Sequence, residues 1–572
     1  MGSGLSTPPW VLLVSAASVL TFGNVSLFLT IFFLIAPLLL LLSAFWYLRK
    51  FTTNGWLSAG AALLYALSPV SIAAVNSGRF GLLIFLALIP FALPIFQSWR
   101  EIHIWKLRRI AAITLFIWLL YLFNPSVLLM VIAAVVYSAA RDFMAAAKNW
   151  RDRLFQQRVT RYATILVGPL LLSAPGSFAV FVHPSILISE IGITIPGGGP
   201  NLALFANLGG PGSLPWWCLS PISVVLVATY FSSTAARRFA APGVLFLLSG
   251  AFISALTVMG NGSSVVTRAS AGTFLGAATL FALVSSVIMF DKIKSRLEQS
   301  HINFRHISIA LVLALTTLYS ATATFWLITA GSDSPVRTTN KTVLPAFLAI
   351  EKDAKTVVLR PYRQKGQLTL SYYISRGRPI TVGEPDVAPA DNPAISRAIE
   401  GLVDNTGVTS SNVLSTYGIK YVFLKSPVSD EVVQTIDGIG GFSRTSATNA
   451  GIVWKVIKET GRLKFVDYDG KVTILESKGV RAYAPRPGTI TLAETYSDGW
   501  QIFQSGYRLA KVENENGLPT FEVTSGGEIS IVHEGRTRRA WISFFVIAIT
   551  TFIVLALPGG RRRSEISDRE IA

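Results

Sequence analysis

Four side chains in the first 330 residues have the right types to act together on a phosphate-linked substrate. Glu190 and His183 lie in one long loop, His183 to Leu214, while Arg79 and Arg268 each stand alone at the tip of a hairpin of apolar segments. A carboxylate such as Glu190 can serve as general base toward an acceptor hydroxyl. An Arg at the depth of lipid headgroups can grip a phosphate or pyrophosphate of a lipid carrier. Glu190 is therefore the catalytic candidate, and Arg79, His183 and Arg268 are the candidates for substrate binding. The competing reading is a solvated loop carboxylate and snorkelling arginines.

Other patterns carry less. Asp467-Tyr468-Asp469 has the D-x-D spacing at which two carboxylates can share an oxygen-liking cation. Asp469-Gly470, however, falls between two alternating runs and reads as a hairpin turn, so no metal is expected there. The stretches Gly197 to Pro200 and Gly209 to Gly212 do not follow a strand and open a helix as phosphate-binding loops do. They read as a tight loop anchored by Trp216 and Trp217 at a membrane interface. Cys218 is the only cysteine, which excludes an intrachain disulfide, and the five His form no ligand cluster or Ser-His-Asp arrangement. No cofactor is expected.

The elements that must position these residues are membrane helices. Of the 20 Lys and Arg in residues 1–330, all but Arg79 and Arg268 fall in five runs: Arg49 and Lys50; Arg100 to Arg109; Arg141 to Arg161; Arg237 and Arg238; and Lys292 to Arg305. The intervals between the runs hold pairs of apolar segments, and the positive-inside rule places all five runs in the cytoplasm. The formal charge of +19 is thus a matter of topology and anionic lipid, and no nucleic-acid partner is expected. Spans are expected at Val25 to Leu48, Trp56 to Val75, Phe80 to Gln97, Ile110 to Phe123, Ser126 to Ala140, Ala163 to Val182, Trp216 to Phe231, Pro242 to Met259, Ala271 to Phe290, Ile307 to Ala330 and Trp541 to Leu557. That makes eleven. Trp10 to Phe22 is short for a span and reads as interfacial or re-entrant, with a twelfth span as the alternative. Residues 1–48 carry no charge and so lack the basic start of a cleavable signal peptide. The basic run Arg561 to Arg563 places the C-terminus in the cytoplasm.

Gly331 to Ala540 holds 26 bases and 22 acids, the balance of an ordinary soluble surface, and the topology puts it outside the cytoplasmic membrane. Lys355 to Arg360, Leu368 to Ile374, Lys420 to Leu424 and Ile452 to Ile457 read as strands, with helices at Pro393 to Val403 and Asp430 to Ile436. From Leu463 the pattern becomes strand and turn, which predicts a β-sandwich. The fold class expected is a polytopic α-helical membrane protein with an extracytoplasmic α/β plus β-sandwich module. Its parts are a transmembrane domain over 1–330, an α/β subdomain over 331–460, a sandwich-like subdomain over 461–540, and a last span with a basic tail over 541–572.

Several phrases occur in a familiar order. Gly2 to Trp10, Leu67-Ser68-Pro69, Asn76-Ser77-Gly78-Arg79-Phe80-Gly81 and Gly209 to Trp217 resemble the membrane region of actinobacterial family 2 membrane glycosyltransferases. Val357 to Arg360, Tyr417 to Leu424, Leu492-Ala493-Glu494 with Gly499-Trp500, and Val554 to Pro558 are similar to that family's outer domain and closing span. The family carries a nucleotide-sugar transferase domain ahead of this region. Its D-x-D and base have no counterpart here and are not carried over. The resemblance implies an integral component of cell-envelope glycan assembly that handles a lipid-linked sugar, such as a polyprenyl-phosphate sugar, with a separate family 2 glycosyltransferase subunit supplying transfer. One alternative is a self-sufficient transferase using a polyprenyl-phosphate sugar, and the other a non-catalytic scaffold or transporter-like protein.

Overall fold

The computed structural model of the chain describes residues 9–99, 102, 105–145, 153–182, 184–189, 208, 212–214, 220–259, 266–297, 304–332, 344–345, 347–348, 354–364, 367–375, 392–426, 428–477, 479–494, 498–514 and 516–557. The first half is a helical bundle. Its helices are α1 (Pro9–Ala17), α2 (Val25–Leu48), α3 (Gly55–Ala66), α4 (Pro69–Asn76), α5 (Phe80–Gln97), α6 (Leu107–Phe123), α7 (Val127–Ala145), α8 (Arg153–Leu172), the single turn α9 (Ala179–Val182), α10 (Ser220–Ser232), α11 (Thr234–Ser254), α12 (Gly272–Leu297) and α13 (Phe304–Ser332).

Among the described residues six helices are long and apolar enough to cross a membrane, and a seventh span is made if the bent pair α3 and α4 counts as one. The protein is accordingly a multi-pass membrane protein. Three further apolar helices, Trp10–Thr21, Phe80–Ile95 and Pro221–Ser232, are shorter, and these account for part of the difference from the eleven expected spans. α2 coincides end to end with its expected span. Asn24 caps it by accepting the amide of Leu27 at 3.0 Å, and Arg49 follows its last turn.

Small residues set the helix contacts, as they do where lipid removes the hydrophobic drive between helices. A Cβ at Gly272 or Gly276 of α12 would run into Leu82 or Leu86 of α5, so these two helices run parallel. Gly243 and Gly250 of α11 meet Phe281 and Leu275 of α12, an antiparallel pairing. Polar pairs reinforce the register: the Tyr65 hydroxyl donates to the Leu86 carbonyl at 2.8 Å, and Thr229 bonds Ser285 at 3.1 Å.

The expected single span Trp56 to Val75 is broken. α3 stops at Ala66, and α4 restarts with Pro69 at its first position and Ser68 as cap, at 46° to α3. Pro69 has no amide to donate and its ring bars continuation of the preceding helix, while Ser68 Oγ accepts from Ser71 N at 3.3 Å. The Leu67 carbonyl, next to the break, accepts the Tyr319 hydroxyl of α13 at 3.1 Å. The hairpin expected between α11 and α12 also differs, since a two-stranded ribbon, β1 (Thr257–Met259) and β2 (Val266–Arg268), joins them.

The C-terminal region has two sheet systems. In the first, β3 (Lys355–Gln364), β4 (Gln367–Ser375), β5 (Ile419–Lys425), β6 (Phe442–Thr448) and β7 (Gly451–Val456) lie in the order β4-β3-β5-β7-β6. Only β3 and β5 are parallel, and their crossover carries α14 (Pro393–Gly401) and α15 (Ser410–Thr416). Val422, Leu424 and Trp454 of the sheet pack with Ile395, Ile399 and Leu414 of those helices and with Val432 and Ile436 of α16 (Asp430–Gly438).

In the second system, every strand pair is antiparallel. A five-stranded sheet of order β14-β15-β11-β8-β9 faces a four-stranded sheet of order β10-β16-β12-β13. The strands are β8 (Leu463–Asp467), β9 (Val472–Leu475), β10 (Arg481–Ala484), β11 (Gly488–Leu492), β12 (Trp500–Gln504), β13 (Tyr507–Arg508), β14 (Lys511–Val512), β15 (Thr520–Val523) and β16 (Gly527–His533). Phe465, Ile490 and Phe521 of one sheet share a core with Ala484, Ile502 and Ile529 of the other, the sandwich that alternation predicts. α17 (Arg536–Ala556) then rejoins the bundle, where Phe545, Ile549 and Phe552 pack on the cluster of Trp118 and Leu172.

Candidate functional site

The end of the bundle at which α4 finishes and α5 begins is built from buried polar side chains. α4 terminates because Gly78 adopts φ +70, which turns the chain so that the amides of Gly78 and Arg79 reach back to Val75 O and Ala74 O at 3.1 and 2.8 Å. Arg79 is thereby aimed into the protein and is 1% exposed. Its Nη2 donates to the Leu208 carbonyl at 2.9 Å. Asn76 Nδ2 donates to the Gly212 carbonyl at 3.0 Å, and Trp326 Nε1 of α13 donates to the same oxygen at 3.2 Å. Gly212 sits at φ +72, where a Cβ would fall 2.6 Å from that of Asn76. Leu208 also packs on Gly272 at the start of α12. Leu208 and Gly212 are thus held by α4, the α4–α5 turn, α12 and α13 together.

A second polar lattice lies at the same end. Asn124, in the α6–α7 turn, donates to the Gly81 carbonyl at 2.8 Å and accepts from Thr273 of α12 at 3.2 Å, while Ser126 bonds Thr273 at 2.7 Å. Buried amide and hydroxyl groups of this kind stay only where they are satisfied, so they fix the loops rather than merely decorate them.

Arg268 closes β2 and pairs across the ribbon with Thr257, at the base of the strand pair rather than at a tip. Its guanidinium is partly buried. Burial lowers its pKa from the ordinary value, although an Arg keeps its charge at any physiological pH. Among the described residues it has no ion-pair partner. Two residues further on, Ser270 N donates to Ile188 O at 2.7 Å, which ties the ribbon to the 3-10 turn Pro184–Ile188. Ile188 stands two residues before Glu190. Glu190 and His183 themselves lie outside the described residues, as do Gly197 to Pro200, Gly209 to Pro211, Trp216 and Trp217.

The D-x-D sequence is a turn. Asp467 is buried, its Oδ1 accepts the Lys471 amide at 2.7 Å, its carbonyl accepts from Gly470 at 3.0 Å, and Gly470 takes φ +78. Arg486 forms an ion pair with Asp467 Oδ2 and reaches Asp469 at 3.9 Å. The buried carboxylate is therefore already engaged by a cation and a main-chain amide. Among the described residues no three His, Cys, Asp or Glu side chains gather as metal ligands.

A charged cluster with no local sequence signal joins the two sheet systems. Glu494, 2% exposed, accepts from Arg462 Nε at 3.3 Å and faces Lys355 Nζ at 3.7 Å. Lys355 also donates to Tyr417 O at 3.1 Å and to Ala493 O. Gly418, at φ +73, lets its backbone pass Ala493, whose Cβ would be 2.8 Å from a side chain there. Tyr417-Gly418 and Ala493-Glu494 belong to phrases that carry the family resemblance. Their contact shows them to be a joint between subdomains, as Asn76, Arg79 and Gly212 are a joint in the bundle.

No protein-family model matches the chain, and no curated protein matches it. Among solved structures it is similar to the cryo-EM structure of the arabinofuranosyltransferase AftD from Mycobacteria. The identity is 14% and the TM-score 0.43, over 80% of this chain and 36% of that one. The chain thus spans about a third of that neighbour's length.

Proposed function

We propose that this protein is an integral membrane component of cell-envelope glycan assembly that holds a lipid-linked sugar at the α4–α5 end of its bundle. The observation that carries the reading is the tethered loop assembly at that end. A broken helix, Leu208 and Gly212 fixed by Arg79 and Asn76, and the ribbon of Arg268 tied to Ile188 gather irregular backbone and two cations at this end. Non-helical backbone at membrane depth is tolerated where it is packed in protein or lines a cavity, and discontinuous helices recur at substrate sites. Arg79 is a positioning residue in this reading, since its Nη2 is committed to Leu208. Arg268 remains the phosphate-binding candidate. The α/β and sandwich module sits outside the cytoplasm, above this end, and contacts glycan or a partner.

A second reading is favoured by the Ser270 to Ile188 bond, which brings the stretch leading to Glu190 alongside the strand of Arg268. In it the chain transfers sugar by itself. Glu190 takes the proton from the acceptor hydroxyl, that oxygen attacks the anomeric carbon, and the polyprenyl phosphate leaves against Arg268 and His183.

The test is to purify the tagged full-length protein from its native membrane, identify partners by mass spectrometry and analyse extracted lipid. A family 2 glycosyltransferase subunit found with a polyprenyl-phosphate sugar supports the first reading. The sugar lipid without a protein partner favours the second. Neither a sugar lipid nor a glycan-assembly partner would overturn both.

A further inference from the structure

At the opposite end of the bundle, where α5 and α7 finish and α6 and α8 begin, the arginines are organised rather than scattered. Asp142 of α7 is 4% exposed. Its Oδ1 takes Arg141 Nη2 at 3.1 Å and Arg158 Nη1 at 2.9 Å, and its Oδ2 accepts the Tyr162 hydroxyl at 2.9 Å. The Tyr162 ring stacks on Trp99 with centroids 6.1 Å apart and planes 13° from parallel. Trp99 meets Trp105 edge-on, and the Arg109 guanidinium lies 4.5 Å above the Trp105 ring. Arg161 Nη1 donates to Ile102 O at 2.6 Å. One continuous set of contacts therefore holds Arg109, Arg141, Arg158 and Arg161, with Asp142 as the one carboxylate of the set among the described residues.

Among the described residues Arg158 Nε is buried without a hydrogen-bond partner, a condition that costs free energy unless something supplies an oxygen. Arg141 and Arg158 are 33% and 22% exposed, so their forks are reachable while Asp142 fixes their direction. An oriented guanidinium fork matches the spacing of phosphate oxygens. The level is also marked: at this end Lys50 lies over Trp46 at 3.7 Å and Arg237 over Tyr230 at 5.2 Å, the cation and aromatic pairing of a membrane–water interface. Basic pockets between helices at such a level take anionic headgroups.

We propose that Arg141 and Arg158, oriented by Asp142, which Tyr162 holds in turn, form a binding site for an anionic phosphate group, supplied by a lipid headgroup or by free phosphate. The site lies at the other end of the bundle from the sugar-handling assembly and does not depend on it.

The experiment uses the full-length protein in a non-ionic detergent after delipidation. Thermal unfolding is followed while phosphatidylglycerol, phosphatidylcholine or inorganic phosphate is added at matched phosphate concentration. Phosphatidylglycerol is expected to raise the unfolding temperature by roughly 5 °C and phosphatidylcholine to do so by less than half of that. A response to phosphatidylglycerol alone assigns the lipid headgroup, and an equal response to inorganic phosphate assigns free phosphate. The Arg141→Gln/Arg158→Gln variant should lose the shift and bind at least tenfold more weakly, whereas Arg237→Gln/Arg238→Gln should keep it. If the first variant fails to fold because Asp142 is left alone, Arg141→Gln/Asp142→Asn/Arg158→Gln removes the buried charge and is read in its place. Equal shifts from the two lipids, or an undiminished shift in the charge-removed variant, would overturn the proposal.

Discussion

The amide of Ser270 donates to the carbonyl of Ile188 across 82 positions of sequence, at 2.7 Å. That bond joins the segment preceding Glu190 to the strand that ends in Arg268. If the pair acts on one substrate, changing either should remove function without removing the fold. If the chain transfers sugar by itself, Glu190→Gln is expected to lower that transfer about 100-fold or more, the usual scale for a lost general base. Melting temperature should be unchanged, and a transfer assay beside a thermal scan separates the two.

Gly212→Ala should destabilise the bundle by about 1–3 kcal/mol, because it forces a side chain to φ +72 against Asn76. Asn76→Ala should cost about 1 kcal/mol through the lost bond to the Gly212 carbonyl. Both variants should open the chain around Gly212 to limited proteolysis earlier than wild type. Equal protease resistance would mean that the segment is held by something other than Asn76.

Glu494→Gln leaves Lys355 and Arg462 facing each other without their buried anion. The expected loss is about 3 kcal/mol, the scale for breaking a buried pair from one side. Adding Lys355→Met should recover part of it. A double-mutant cycle by thermal unfolding reads the coupling directly, and additive losses would contradict the joint.

Asp467 and Asp469 should behave differently although they share one short sequence pattern. Asp469, 87% exposed, should tolerate Ala within about 0.5 kcal/mol. Asp467→Ala should cost about 2 kcal/mol, since its carboxylate holds the Lys471 amide and Arg486. Manganese should stabilise neither the wild type nor the variants. A saturable manganese-dependent rise in melting temperature, abolished by both substitutions, would restore the metal-site reading.

Length and apolarity were enough to find α2 and α5 end to end, because a membrane helix hides its whole backbone internally and reads as one unbroken run. The break in the Trp56 to Val75 run was legible too, in Ser68-Pro69, a cap followed by proline at the first helical position, but the apolar run overrode that local signal. The edge strand β6 was missed because Ser443, Arg444, Thr445 and Thr448 face solvent and give no alternation. Asp142 was hidden inside a run read only for its positive charge. Glu494 and Lys355 are 139 positions apart, and no local spacing reveals a contact made by docking two subdomains. Of the candidate site, the placement of Arg79 and Arg268 at the same end followed from helix count, whereas the commitment of Arg79 to Leu208 needed the tertiary structure.

The most direct measurement is native mass spectrometry of the full-length protein purified from its own membranes, wild type beside Arg268→Gln. A polyprenyl-phosphate sugar bound near one per chain in the wild type, and reduced at least tenfold in the variant, is the predicted result. Absence of such a lipid from the wild type, or equal occupancy in Arg268→Gln, would contradict the assignment of this end of the bundle to a lipid-linked sugar.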